Sequence, residues 1–378
     1  MRALIVEDGN QRGALSAVRG LGRAGWTVGV GSPQRGFASR SRWTRRWHEV
    51  PSPIEGADLF EAAIIEAIAD GGYDVIFGSG DSESMALATI GSRLDTRVGH
   101  PAAPTLLHAY DKARLTESAR RVGLSVPSTS TRADDPALTY PVVVKQRLHG
   151  GTDGTSGRLE TAAAATVGEA ETIAAGAREK GLEVLFQDAI DGSLMAYVAV
   201  ADRDHKVIAE VTQRAIGTFP PGAGVSVRAV TVATDPDLAR RVQDLIAEIG
   251  WWGVAELQFL VGDDGSPRLI DLNGRFYGSL ALAIAAGIDV PGLCASIALD
   301  NVPQDAPKAR IGVRYQWLEG DLRRASLERT GGLLRDIWGC LRSAPGAAHS
   351  LWSLHDPWPA MAFSGILAGR ALRKAVQR

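Results

Sequence analysis

A chain of 378 residues exceeds what one hydrophobic core usually serves, which predicts two or three packed subdomains. Its 45% hydrophobic and 22% charged residues, with a net charge of −2, describe a globular protein without the basic surface that nucleic-acid binding needs. With Cys294 and Cys340 as its two cysteines, no disulfide framework and a reducing, cytoplasmic setting are expected, and no segment reaches the ~20 apolar residues of a membrane span.

The first residues, MRALIVEDGN, read directly into a strand and lack the basic start and apolar run of a signal peptide. Ala3 to Val6 is an apolar run, followed by a Gly/Asn loop, a helical pattern from about Ala14 to Ala24 and a second run at Val28 to Val30. This is a βαβ start. A helical pattern at Leu59 to Ala69 and a strand at Asp74 to Phe77, running into Gly78-Ser79-Gly80-Asp81, complete a small open α/β domain. The loop Glu7-Asp8-Gly9-Asn10-Gln11-Arg12-Gly13 lacks the G-x-G-x-x-G spacing that lets backbone approach a pyrophosphate, so NAD or FAD is not expected here.

Pro101 to Pro104 read as a linker, and a helix from about Asp111 to Val122 ends at Gly123, with Pro127 as a stop. A strand at Val142 to Lys145, a Gly/Thr/Ser loop from His149 to Gly157, an alanine-rich helix at Ala162 to Lys180 and a strand at Glu183 to Gln187 follow. Met195 to Ala201 and Val207 to Thr212 form a hairpin around Asp202-Arg203-Asp204-His205. A helix at Asp235 to Ile249 precedes the strands Val254 to Val261 and Arg268 to Leu272, joined by Gly262-Asp263-Asp264-Gly265. Beyond Pro303 the chain is rich in tryptophan and arginine, helical in parts and without a legible motif.

The paired strands carry the strongest chemical signal. Side chains alternate faces along a strand, so Glu256 and Gln258 share one face while Asp271 and Asn273 share one on the neighbour. Hard oxygen ligands of this kind suit Mg²⁺, although an ordinary hairpin with a polar outer face has the same pattern. Lysine is scarce: only Lys112, Lys145, Lys180, Lys206, Lys308 and Lys374 occur among 41 basic residues. Lys145 adjoins the loop HGGTDGTSGR, whose glycines free backbone amides to face phosphate oxygens; a flexible linker would look alike.

The run from Gly253 to Leu282, ending IDLNGRFYGSLALA, resembles the metal-binding core of ATP-grasp enzymes, especially the carboxylate-amine ligase branch. The resemblance spans roughly Pro101 to Leu299 and implies an α/β chain: an N-terminal open α/β domain (1–103), an ATP-grasp domain (104–300) and a C-terminal extension (301–378). Within the middle domain it implies a glycine-loop lobe at about 104–185 and a metal-binding lobe at about 186–300. By the same resemblance Gln258, Asp271 and Asn273 are magnesium ligands, with manganese as a substitute, and Arg275 faces phosphate or the acyl intermediate. Asp271 stands where glutamate is usual and Gln258 where many members have an acid. Lys112 and Lys145 take the places of two phosphate-binding lysines, and Gly150, Gly151, Thr152 and Gly154 those of the phosphate loop. Gln187, Asp188, Ala189 and Ile190 resemble the hinge that holds adenine, with Asp191 as the substitute for a ribose-binding acid. Arg214, ahead of Pro220-Pro221-Gly222, is a candidate for phosphate or carboxylate.

The family's chemistry implies ATP-dependent formation of an acyl phosphate, then displacement of phosphate by an amine, with ADP released. The partners would be a small carboxylate, such as an amino acid, and an amine, with no nucleic acid; self-association is left open. An ATP-binding protein with impaired catalysis, or a kinase-like phosphoryl transferase, would share the fold.

Overall fold

The computed structural model describes residues 1–150, 152, 157, 159–222, 224–303 and 307–362. The N-terminal segment alternates strand and helix: β1 (Arg2–Val6), α1 (Arg12–Arg23), β2 (Thr27–Ser32), β3 (Thr44–Glu49), α2 (Ala57–Gly71), β4 (Val75–Gly78), α3 (Asp81–Ile90) and β5 (Arg97–Val98). Its strands form a parallel sheet in the order β3-β2-β1-β4-β5, so the order reverses between β1 and β4. Both faces are covered, as a parallel sheet requires. Leu4 and Ile76 pack with Phe60, Ile64 and Leu87 on one side, and Ile5 and Phe77 join α1 on the other.

Two helices, α4 (Ala103–Tyr110) and α5 (Lys112–Arg121), lead to a small antiparallel sheet. Its strands are β6 (Thr129–Ser130), β7 (Val142–Gln146), β8 (Ala162–Ala164) and β9 (Val184–Asp188), in the order β6-β9-β7-β8, with α6 (Val167–Arg178) on one face. The large sheet follows, built from β10 (Gly192–Ala201), β11 (Val207–Phe219), β12 (Val225–Val232), β13 (Gly253–Gly262) and β14 (Pro267–Asn273), with α7 (Pro236–Glu248) before β13. After α8 (Leu280–Ala285) and α9 (Val290–Ala298) come β15 (Arg314–Gln316), α10 (Leu318–Glu328), α11 (Leu333–Ser343) and β16 (Ala348–His349). The tail strands β15 and β16 complete the large sheet, in the order β14-β13-β10-β11-β12-β15-β16.

Alternation sorts the large sheet. Tyr197, Ala199, Ala255, Leu257 and Phe259 pack on α4, α5 and α7, while Val198, Val200 and Val254 face α1, α8 and α9 and so share a core with the parallel sheet. Among the described residues no helix is long and apolar enough to cross a membrane.

Several elements depart from the sequence reading. Pro101 to Pro104 is not all linker, because Pro104 lies in the first turn of α4, where its missing N–H costs nothing. Ala162 to Ala164 is strand, not helix: it pairs with Val142 to Val144, and the helix starts only after Thr166, whose side chain accepts from the Glu169 amide. The strands β3, β5, β6 and β12 and the helices α3, α8 and α9 are not among the elements read from the sequence, nor is the pairing of the tail. The expected division at residue 185 falls inside β9.

A buried ion pair joins the tail to the N-terminal segment. Arg19 Nε donates to Asp356 Oδ2 at 2.8 Å, and its Nη2 donates to the carbonyls of Leu351 and Asp356. Ser41 Oγ and the Arg42 amide fill the remaining positions around the carboxylate. Asp356→Ala would strand a buried guanidinium and should cost about 3–5 kcal/mol, whereas exposed surface substitutions usually change little. Chemical denaturation of the variant measures it; an unchanged midpoint would show that the tail does not depend on the pair.

Candidate functional site

The register of β13 on β14 sets the site. Glu256 pairs with Asn273 and Gln258 with Asp271, so all four side chains leave one face, just beyond the apolar Val254 and Val198. The pairing then shifts: Phe259 pairs with Leu269, and Ile270 is left as a bulge. Its carbonyl accepts from Lys145 Nζ at 3.0 Å, which joins the small sheet to the large one. Val142 and Val144 pack against α6, so Lys145 leaves the opposite face of β7.

Local hydrogen bonds explain why two lysines distant in sequence meet. Asp111 caps α5 by accepting from the Ala113 and Arg114 amides, and its carboxylate also takes Arg147, two residues beyond Lys145, at 2.8 Å. The Lys112 amide donates to the Arg147 carbonyl. The start of the helix is thus fastened to the end of β7. Lys112 Nζ lies 3.3 Å from Asp271 Oδ1, and Lys145 Nζ donates to Gln187 Oε1 at 2.8 Å.

Sequence reasoning named neither His149 nor Asp81 as a site residue. His149 stacks on Tyr110, with ring centroids 4.7 Å apart, and lies between two carboxylates: Nε2 is 2.8 Å from Asp271 Oδ1 and Nδ1 is 3.1 Å from Asp81 Oδ2. Asp81, at the start of α3, also accepts from Arg275 Nε at 2.6 Å. Arg275 Nη2 donates to Asn273 Oδ1 at 3.3 Å. The sequence did hold a signal, since Asp81 follows the glycines at the end of β4 and His149 opens the glycine loop.

Charge follows from these contacts. Burial would raise the Asp271 carboxyl, but Lys112, His149 and Lys145 outweigh it and hold it well below the usual carboxylate range. Arg275 and His149 do the same for Asp81. Burial and Lys112 would discharge His149, but its two carboxylate neighbours prevail, and the raised basicity lets both ring nitrogens donate. Burial, opposed by Asp271 and reinforced by Lys112, lowers Lys145 to about 7.

Glu256 was seen in the pattern but not placed among the ligands. It accepts from Asn273 Nδ2 at 2.9 Å and from Gln213 Nε2 at 3.3 Å, and burial raises it to about 7. Glu256, Gln258, Asp271 and Asn273 together offer two carboxylates and two amide oxygens on one face. Among the described residues no group of three or more His, Cys, Asp or Glu forms a metal cage. The set therefore fits a cation that takes few protein oxygens and completes its shell with phosphate and water, as Mg²⁺ does.

Other expected residues fall elsewhere. Arg214 is exposed and pairs with Met195, whereas its neighbour Gln213 pairs with Ala196, opposite Gln258. Arg214 therefore leaves the opposite face of the sheet and does not join the site. At the hinge the Asp188 amide donates to the Ser128 carbonyl and the Ala189 amide to that of Pro141, so neither is free to read an adenine edge. Asp188 to Asp191 line a cavity of about 530 Å³ with Tyr140 and the turn Gly262 to Asp264, while Gln187 turns toward Lys145. Thr152 is buried and donates to the His149 carbonyl, and Gly150 is open to solvent. Gly151 and Gly154 lie outside the described residues.

The Glu256 carboxyl ordinarily titrates near 4.5. Between that value and its folded value near 7 the folded chain keeps a proton that the unfolded chain has lost, so its contribution to stability falls as pH rises through this window. Glu256→Gln should then raise the melting temperature at about pH 8 and change it little at about pH 4.5. Equal effects at both would show that the carboxyl is not held protonated.

A family model described as ATP-grasp in the biosynthetic pathway with Ter operon matches residues 200–321. No curated protein matches the sequence. Among solved structures, a biotin carboxylase domain dimer of a 2-oxoglutarate carboxylase from Hydrogenobacter thermophilus, with MgADP, ADP and bicarbonate, aligns with TM-score 0.63 and 14% identity over 82% of this chain and 73% of that one. An L-amino acid ligase from Bacillus licheniformis aligns with TM-score 0.57 and 16% identity, over 79% and 74%. N5-carboxyaminoimidazole ribonucleotide synthetase from Thermotoga maritima aligns with TM-score 0.58 and 14% identity, over 83% and 79%. At these identities the likeness is one of fold: the chain has an ATP-grasp fold, and its residues 200–321 match an ATP-grasp family model.

Proposed function

We propose that this chain is an ATP-dependent carboxylate-amine ligase that works through an acyl phosphate with Mg²⁺ and releases ADP and phosphate. The observation that carries the reading is the convergence of Lys112, Lys145 and Arg275 on the face that bears Glu256, Gln258, Asp271 and Asn273. Such a site can hold a triphosphate and a carboxylate while leaving no side chain obviously placed to attack. That matches a reaction whose nucleophile is the substrate itself. The fold shared with a structure holding MgADP and with an L-amino acid ligase supports it.

A free carboxylate resists amines because its leaving group would be oxide, and phosphorylation supplies a better one. The protein's share is positioning and charge neutralisation. Lys112 and Lys145 would hold phosphate oxygens, and a triphosphate beside Lys145 would restore the proton that burial weakens. Arg275, fixed by Asp81 and Asn273, would present its guanidinium to the acyl or phosphoryl oxygens. Mg²⁺, held by Asp271 and Asn273 with Gln258 or Glu256, would supply charge neutralisation across the phosphates.

The test is ADP release across pairs of amino acids and simple amines. At least one pair should release ADP and phosphate together and yield an amide; phosphorylated product without free phosphate would mean a kinase, and no release from any pair would remove the ligase reading. Asp271→Asn keeps the shape but removes a charge, so it should raise the Mg²⁺ concentration needed for half-maximal ADP release and lower turnover by about tenfold or more. Superimposable metal titrations, in a folded variant, would take Asp271 out of the site.

A further inference from the structure

A second polar cluster lies beside this site, on the N-terminal sheet. The strand order reverses between β1 and β4, and in open α/β sheets the crevice at the carboxyl ends of such strands is where ligands bind. Here those ends are Glu7 and Ser79. The ladder continues through both, since the Glu7 amide donates to the Gly31 carbonyl and the Ser79 amide to that of Val6. Ile5 and Phe77, two residues earlier, face the core that contains Phe276, and the Phe77 and Phe276 rings are 5.2 Å apart. By alternation Glu7 and Ser79 point the same way, toward the loop that begins at Arg275.

Their polar atoms are buried and unsatisfied. Glu7 Oε1, Gln11 Oε1 and Ser79 Oγ have no hydrogen-bond partner, although Glu7 and Ser79 are almost wholly enclosed. Glu83, also enclosed, comes close to Gln11 over Gly80: a Cβ at Gly80 would lie 1.9 Å from Glu83 Oε2 and 2.7 Å from Gln11 Nε2. Only glycine lets these groups converge. Burial, with the like charge of Asp8, pushes Glu7 up to about 8 and Glu83 up to about 7. Among the described residues neither acid has a basic partner; Glu7 accepts from the Gln11 amide and Glu83 from Ser82. Buried acceptors left open in this way are rare in folded proteins and call for a donor.

We propose that this crevice receives the protonated amino group of the carboxylate substrate, through Glu7, Glu83, Gln11 and Ser79. The proposal rests on the ligase reading, because it takes Arg275 as the end that receives the carboxylate. An ammonium presents three donors to match these acceptors. Asp81 joins the two ends: it sits in the same first turn of α3 as Glu83 and holds Arg275. The amine so held is a recognition handle and not the attacking nucleophile, since carboxylates stabilise the ammonium and an attacking amine must be neutral. The substrate acid is therefore an amino acid or a close relative.

The test is thermal stabilisation of the full chain, saturated with MgADP, by the common amino acids and by their deaminated counterparts, such as L-alanine against propionate. At least one amino acid should raise the melting temperature while its deaminated partner does not. Glu83→Gln should need about tenfold more of that amino acid, with Ser79→Ala as the milder second variant should the first not fold. Stabilisation by both members of a pair, an unchanged response in the variants, or none from any amino acid would overturn the proposal. Absence of a MgADP shift in the wild type is a different failure: it would remove the ligase reading beneath it.

Discussion

Everything at the centre of this molecule depends on the balance of charge around Asp271. One half-buried carboxylate faces Lys112 and His149 directly and Lys145 through space. Those cations come from the start of α5 and from the stretch that runs from the end of β7 to the root of the glycine loop, so two segments distant in sequence meet at one anion. Without it, two ammonium groups and an imidazolium would be crowded together with little water to screen them, and each would lower the basicity of the others. Asp81 repeats the arrangement toward the N-terminal sheet by taking the far side of His149 together with Arg275. The two carboxylates and four cationic side chains form a continuous chain across all three sheets.

This charge balance makes the polar centre a structural element as well as a candidate site. The apolar layers could hold the parallel sheet against the large one through α1, α8 and α9, but they do not fix the small sheet. That sheet has its own core around α6, and Lys145, bonded to the Ile270 carbonyl, is a polar link between it and β14. In the proposed reaction a triphosphate would compete for Lys112 and Lys145. Nucleotide binding would then exchange links that join the sheets for links to the ligand, a direct route from occupancy to movement of the small sheet.

How far the sequence discloses all this varies with the physics involved. Three strands of the parallel sheet, β1, β2 and β4, were legible because each is a dense apolar run, whereas β3, with the polar sequence TRRWHE, and the two-residue β5 were not. The pairing of Glu256 and Gln258 with Asp271 and Asn273 was legible too, since it needs only alternation and a short turn. Ala162 to Ala164 misled because alanine's helix preference is intrinsic, whereas its pairing with Val142 to Val144 is tertiary. Arg214 misled for a related reason: which face of β11 it takes depends on the pairing of β10 with β13, a long-range register that a local motif does not encode. His149 and Asp81 escaped because their partners are 122 and 194 residues away, in Asp271 and Arg275.

The extra residue in β14 has a consequence of its own. Leu269 and Asp271 are two apart and in a regular strand would share a face, yet Leu269 belongs to the apolar core while Asp271 belongs to the charged cluster. Ile270 acts as a phase shift inserted between them. It lets the strand return Leu272 to the same apolar core while Asp271 and Asn273 turn to the charged side. The same residue, by stepping out of the ladder, leaves a carbonyl free for a cation. A single insertion thus changes both the direction in which the following side chains project and the electrostatics of the place they project into.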